Sequence, residues 1–333
     1  MKKIAINGLG RIGRMSLQAI FKRKLPLQIV AINDLASPDV LAHLLEFDST
    51  FGRFEAEISF TKNSLTVNGQ EIKVFSEYKA ENLPWKELEI ETVLECTGVF
   101  RTREKAQKHL YAGSKRVIIS APAKDQIDAT FVIGVNEHKF EKEKHFIISN
   151  ASCTTNCLAP ALKVLHENFK VEKGSLTTIH SFTSDQRLLD APHSDLRRAR
   201  SATLSIIPTS TGAAKAISKI IPSLDGKLNG IAVRVPTATV SLVDLTVQTE
   251  KALSKEEVNE VFQKASENNL SGILGFETRP LVSRDFRMDS RSCIIDAQIT
   301  KVTGNNLVKV LAWYDNEWGY ANRLVELAQM ICQ

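Results

Sequence analysis

Residues Lys3 to Arg14 read KIAINGLGRIGR. An apolar run of strand length, Lys3 to Asn7, leads straight into Gly8-Leu9-Gly10-Arg11-Ile12-Gly13, a G-x-G-x-x-G turn. Helical spacing follows, with Ile12, Leu17, Ile20 and Phe21 as the apolar positions. A second buried-type strand, Leu27 to Ile32, then closes on Asn33-Asp34. Strand, glycine turn, helix, strand and carboxylate thus fall within ~30 residues, the spacing that suits a dinucleotide. Glycines allow the backbone to approach a pyrophosphate, and a helix N-terminus offers free N–H groups and the positive end of a dipole. A glycine turn with no ligand is the plainer alternative, and the flanking pattern argues against it. Asp34 is placed to accept the ribose hydroxyls of adenosine and would repel a 2′-phosphate. Leu35-Ala36-Ser37 offers no arginine to receive one, so the expected cofactor is NAD rather than NADP.

More apolar strands follow at Glu91 to Glu95, Arg116 to Ser120, Thr130 to Gly134 and His145 to Ile148, with helical character between Arg103 and Leu110. Strands that alternate with helices predict an α/β class, a Rossmann-type doubly wound parallel sheet with ligands beyond the strands' carboxyl ends. Phe54 to Val74 alternates like a hairpin about Asn68-Gly69. The expected organisation is an NAD-binding domain over residues 1–150, completed by a C-terminal helix 318–333. An α+β catalytic domain with a large mixed or antiparallel sheet spans 151–317 and carries a long loop at 181–201.

At 333 residues, with 43% apolar and 24% charged, the chain can bury two cores. The net charge of +5 is mild and the basic runs are short, which does not suggest nucleic acid as a primary partner. Five cysteines in no disulfide-like spacing point to a reducing compartment. With neither an apolar signal core nor a membrane-length run in the sequence, a cytoplasmic protein is expected.

SNASCTTNC, Ser149 to Cys157, emerges from the end of a strand. Leu158, Leu162 and Leu165 continue at helical spacing, so Ser152 is a plausible N-cap with Cys153 in the first turn, where the dipole favours a thiolate. Pro160 either kinks that helix or marks the first turn of a later one. Two cysteines four apart on a helix are too far apart for a disulfide and are a poor metal set; no metal is expected. Two readings remain open, a pair of packed cysteines and a nucleophile at Cys153 with Cys157 packed beneath it.

A nucleophile needs a base. His180, which closes the alternating stretch Thr177 to Thr183, is the candidate among seven histidines, with a strand-end histidine bonded to backbone as the alternative. The segment Ser181 to Ser201 holds Asp185, Arg187, Asp195, Arg197, Arg198 and Arg200, and loops of this length are usually functional. Thr209-Ser210-Thr211-Gly212 opens a helix and could cradle an oxyanion. Arg234 lies in an apolar strand, where a charge is costly unless it meets an anion, either a carboxylate of the protein or a phosphate.

INGLGRIGR, SNASCTTNCLAP, TTIHSFTSDQ, DLRRAR, IIPTSTGAAKA, RVPT and WYDNEWGY together cover nearly the whole chain. In these motifs it resembles the phosphorylating glyceraldehyde-3-phosphate dehydrogenases of glycolysis. The resemblance implies Cys153 as nucleophile and His180 as its base. Ser152, Thr154, Thr183, Arg198, Thr211, Gly212 and Arg234 would form the pockets for the substrate phosphate and inorganic phosphate. Arg11, Ile12, Asp34, Ser120 and Asn316 would contact NAD, Asn316 orienting the nicotinamide carboxamide. A helix starting near the nucleophile, the kinked option, and a homotetramer are implied too. Tyr78 in SEYKAENLPW replaces an arginine common among relatives and Cys96 a serine; neither departure touches the acyl chemistry.

Overall fold

A computed structural model describes all residues, Met1–Gln333. The chain divides into two compact units. One comprises Met1–Phe131, Glu137–Ala151 and Ala321–Gln333; the other comprises Val132–Asn136 and Ser152–Tyr320.

The first unit is built on a nine-stranded sheet. Its order is Ala129–Thr130, Ile147–Ser149, Arg116–Ile119, Thr92–Glu95, Lys2–Asn7, Leu27–Asn33, Gln70–Phe75, Ser64–Val67, Ile58–Phe60. The pairs from Ala129–Thr130 through Gln70–Phe75 are parallel. The last two strands pair antiparallel. Thr92–Glu95 and Arg116–Ile119 are buried at every position, as a sheet covered on both faces requires. The hairpin turns at Asn68 and Gly69, with φ of 49° and 79°, the left-handed pair that a tight two-residue turn demands. Lys2–Asn7 leads to Leu27–Asn33 on one side, and its other neighbour is Thr92–Glu95, so the strand order reverses there. The ends of Lys2–Asn7 and Thr92–Glu95 are therefore the switch point where open α/β sheets bind ligands.

The strand expected over Thr130–Gly134 is cut short. Only Ala129–Thr130 pairs. Beyond it the Asn136 side chain accepts the N–H of Val132 at 2.8 Å, and Gly134 turns at φ +87°. Val132–Asn136, inside the stretch assigned to the first domain, packs with the second unit instead. Lys163 donates to the Gly134 carbonyl at 2.8 Å, and Ile273 and Leu270 crowd the same glycine.

The second unit carries an eight-stranded mixed sheet, ordered Ile207–Ser210, Leu228–Val235, Val171–Ser181, Ser241–Thr249, Leu307–Tyr314, Cys293–Asp296, Leu274–Glu277, with Lys301–Thr303 paired to Leu307–Tyr314. Ser241–Thr249 alternates buried and half-buried along its length, so one face meets the core. Helix Cys153–Phe169 lies in that core, with Thr154 to Leu162 buried throughout. Ser152 caps it by accepting the N–H of Thr155 at 3.0 Å. Pro160 sits inside the helix, which resolves the ambiguity in favour of the kinked, early start. Ser254 and Glu257 close a reciprocal capping box on helix Lys255–Glu267.

Candidate functional site

The second unit brings Cys153, His180 and Arg234 together. Val171–Ser181 and Leu228–Val235 run parallel with His180 in register with Arg234, which sets the imidazole and the guanidinium side by side. Cys153, in the first turn of its helix, places Sγ 3.3 Å from Nε2 of His180. On the ring's other side, Nδ1 lies 2.7 Å from the Ser181 carbonyl. That oxygen can only accept, so Nδ1 carries the proton and Nε2 is left to accept from the thiol. Arg234 Nη1 also donates to the Ser181 carbonyl, at 3.0 Å, and reaches Thr183 Oγ1 at 3.4 Å.

Electrostatics corrects the expectation of a thiolate favoured by the helix. Burial pushes the Cys153 thiol up, and the pull of Arg234 and of the first-turn N–H groups does not overcome it. Burial also pushes His180 down, with Arg234 adding to it, to about 3. Both shifts favour the uncharged pair. Transfer of the proton would create opposite charges 3.3 Å apart, worth ~5 kcal/mol at an effective dielectric of ~20. This attraction opposes the burial penalty on the charged pair as the sulfur attacks. Helix position alone could not predict this, because burial is a tertiary property.

The two arginines differ in a way no motif revealed. Arg198 is ion-paired to Asp185 and also lies 3.7 Å from Asp195. It further donates to Thr209 Oγ1 at 3.0 Å and to the Ser210 carbonyl at 3.4 Å. Arg234 has no carboxylate within ion-pair distance, and its buried Nε has no partner. A protein carboxylate is therefore not the anion that Arg234 meets.

Other expected contacts fall into place unevenly. The Thr154 hydroxyl points to Tyr314 at 3.0 Å, and the Ser152 hydroxyl is engaged by Thr155 at 2.7 Å, so both retain chiefly backbone N–H groups for an anion. Thr211 and Gly212 open helix Ala213–Ile220; the Thr211 hydroxyl accepts the Ala213 N–H at 3.2 Å, the N-cap Gly212 has no side chain to offer, and the space above it is open. No direct contact joins them to Cys153. Asn316 Oδ1 accepts both Ser181 Oγ and Ser241 Oγ at 2.9 Å, which fixes the amide with Nδ2 turned away from these partners. Sequence reasoning passed over Tyr314, Ser181 and Ser241. Tyr314 lay within the WYDNEWGY motif but bears no catalytic signature of its own.

In the first unit the glycine turn fits a dinucleotide. A Cβ on Gly13 would stand 2.1 Å from the Gly8 carbonyl, and one on Gly8 2.8 Å from the Thr97 nitrogen, so both are packing glycines. Gly10 has nothing within 4 Å of where its Cβ would point, the open side that a phosphate needs. Gly10 is the N-cap of helix Arg11–Arg23 without a side-chain cap. Asp34 accepts Leu9 N–H at 2.7 Å and Ala36 N–H at 3.0 Å, which holds its carboxylate at the end of its strand. The Arg11 side chain is drawn to Asp48 and over the Phe51 ring, so any contact from Arg11 and Ile12 to a pyrophosphate comes through their backbone. Ser120 sits at the end of Arg116–Ile119, its N–H bound to the Glu95 carbonyl at 3.0 Å.

The signature described as the glyceraldehyde 3-phosphate dehydrogenase NAD binding domain matches residues 2–103, and that for the C-terminal domain matches 152–316. The chain belongs to the glyceraldehyde 3-phosphate dehydrogenase family. It is 54% identical to glyceraldehyde-3-phosphate dehydrogenase 2 of Trichormus variabilis, across 100% of this chain and 99% of that one. The enzyme of Geobacillus stearothermophilus is 54% identical over 99% and 98% of the two chains. The chloroplastic A form of Chlamydomonas reinhardtii is 54% identical over 98% and 88%. As a glyceraldehyde 3-phosphate dehydrogenase family member, the chain is an NAD-dependent oxidoreductase. No helix is long and apolar enough to cross a membrane.

Proposed function

We propose that this enzyme oxidises glyceraldehyde 3-phosphate to 1,3-bisphosphoglycerate with NAD and inorganic phosphate, the reversible step of glycolysis, through Cys153 and His180. The observation that carries the reading is a thiol 3.3 Å from an imidazole whose neighbouring guanidinium lacks a carboxylate partner. As Sγ attacks the aldehyde carbon, Nε2 takes the thiol proton and passes it to the carbonyl oxygen, so that a hemithioacetal forms on Cys153 and His180 is neutral again. Covalent addition is needed because a free aldehyde is a poor hydride donor until a nucleophile adds. NAD, when bound, accepts the hydride. The hemithioacetal hydroxyl loses its proton to His180, leaving a thioester. Phosphate then displaces the sulfur and releases the acyl phosphate, and the thiol recovers its proton. The Arg234 charge steadies the oxyanion side of each step.

Arg234 and Thr183 form one phosphate pocket. Backbone N–H groups at Ser152 and Thr154, with Thr211, Gly212 and Arg198, form the other. Gly8, Gly10, Arg11, Ile12, Gly13, Asp34, Ser120 and Asn316 hold NAD, Asn316 through the amide nitrogen that its two serine partners leave available. A homotetramer is supported by Leu188, Leu189, Leu196, Leu204 and Ile206, which stand 69–81% exposed on and beside the long loop in the isolated chain. Five free cysteines support a reducing, cytoplasmic setting. NADH formation from glyceraldehyde 3-phosphate tests the reaction. Turnover should require phosphate and fall sharply with NADP; turnover independent of phosphate would refute it.

A further inference from the structure

Behind the glycine turn lies a polar cluster that the reaction scheme does not use. Glu95 is 1% exposed and His109 0%, and neither has a lysine or arginine within ion-pair distance. Four neutral donor hydrogens converge on the Glu95 carboxylate. Oε2 receives Asn7 Nδ2 at 2.5 Å and His109 Nε2 at 3.1 Å. Oε1 receives the Thr97 N–H at 2.8 Å and the Thr97 hydroxyl. The ring's other nitrogen, Nδ1, accepts the indole N–H of Trp85 at 3.1 Å. An indole nitrogen can only donate, so the imidazole is held neutral with its proton on Nε2, aimed at Glu95.

The cluster's outer members are the two turns that face each other at the switch point. Asn7 immediately precedes Gly8, and Thr97 is the residue that a Cβ on Gly8 would strike. Asn33, next to Asp34, extends the chain by donating to Asn7 Oδ1 at 2.7 Å and accepting the Glu77 N–H at 2.8 Å. One buried carboxylate thus ties together the ends of three adjacent strands and helix Arg103–Tyr111, which carries His109. A satisfied network of this kind specifies geometry more sharply than apolar packing does.

We propose that Glu95 and His109 are positioning residues for the cofactor: the carboxylate, its donors set by the Trp85-locked tautomer, holds the Asn7–Gly8 and Thr97–Gly98 turns in the geometry that NAD requires. The proposal rests on the reading that the Gly8–Gly13 turn and Asp34 hold NAD. Glu95→Gln keeps the shape but presents an amide to two donors.

The test measures NAD affinity of the full chain by calorimetry, alongside circular dichroism and the rate of Cys153 alkylation without NAD. Glu95→Gln should weaken NAD about tenfold while alkylation stays unchanged, as loss of one satisfied buried group predicts. Asn7→Asp combined with Glu95→Gln moves the carboxylate across the pair and should recover most of that loss. Trp85→Phe removes only the indole donor. It should weaken NAD about threefold and change the nitrogen chemical shifts of His109, and it carries the test if Glu95→Gln does not fold. A folded Glu95→Gln or Trp85→Phe protein that binds NAD as the parent does would overturn the proposal. Asp34→Ala is the control: unweakened NAD binding there would sink the cofactor-site reading itself, whereas weakening there but not at Glu95 sinks this inference alone.

Discussion

Nη1 of Arg234 lies 3.0 Å from Nδ1 of His180, and both groups aim at one acceptor, the carbonyl of Ser181. The arginine acts on the pair in two opposite senses. Its charge draws the Cys153 thiol down and pushes the His180 imidazole down as well.

Replacing Arg234 with Leu removes the charge that favours the thiolate. The folded-state pKa of Cys153 should rise, so the alkylation profile, which climbs as the thiol ionises, moves to higher pH. A shift of about one unit slows iodoacetamide labelling roughly tenfold on the acid side of the midpoint. An unmoved profile would show that the guanidinium does not act on the sulfur. The same variant should raise the KM for glyceraldehyde 3-phosphate at least tenfold if Arg234 receives its phosphate.

His180→Asn keeps a hydrogen-bonding group but no base of useful strength. Its kcat/KM should fall by ~10²–10⁴. Cys153→Ser should abolish the burst of acyl-enzyme while NAD titration still reaches one site per chain. A burst of normal amplitude in Cys153→Ser, or an unchanged kcat/KM in His180→Asn, contradicts the assigned roles.

How much of this was open to sequence reading depended on how local each signal is. KIAINGLGRIGR disclosed its strand, turn and helix because glycine spacing and apolar period are written within a dozen residues. The Asn68-Gly69 hairpin and the Ser254 capping box were legible for the same reason. The direction of the Cys153 shift was not, because it depends on how deeply residues far apart in the chain bury the sulfur. The Glu95–His109 pairing spans |i−j| of 14 and consists of residue types common on any surface. The pairing of Arg198 with Asp185 was hidden in a charge-rich loop whose composition alone reads as solvated. Val132–Asn136 could not be assigned to the second unit because nothing in TFVIGVN departs from an ordinary strand ending.

Asp34 should decide between the two pyridine nucleotides. Asp34→Ser removes the carboxylate that faces a 2′-phosphate while retaining a short acceptor. The ratio of kcat/KM for NADP to that for NAD should rise about tenfold or more, measured at fixed substrate and phosphate. A constant ratio would place nucleotide choice elsewhere.

The Ser254 cap offers a test of stability without function. Ser254→Ala loses half of the reciprocal box on helix Lys255–Glu267, at a cost of ~1 kcal/mol. The melting temperature should drop by roughly 2–4 °C, with NAD affinity and Cys153 labelling unaltered. A kinetic change would mean that this helix communicates with the chemistry.

Cys157, Cys293 and Cys332 are all sealed within the folded chain, while Cys153 and Cys96 retain partial access. The number of sulfurs that react quickly with a bulky reagent is consequently a gauge of structural integrity that needs no substrate. An intact molecule gives up at most two, and every further equivalent consumed during storage, heating or denaturant titration records molecules whose cores have opened.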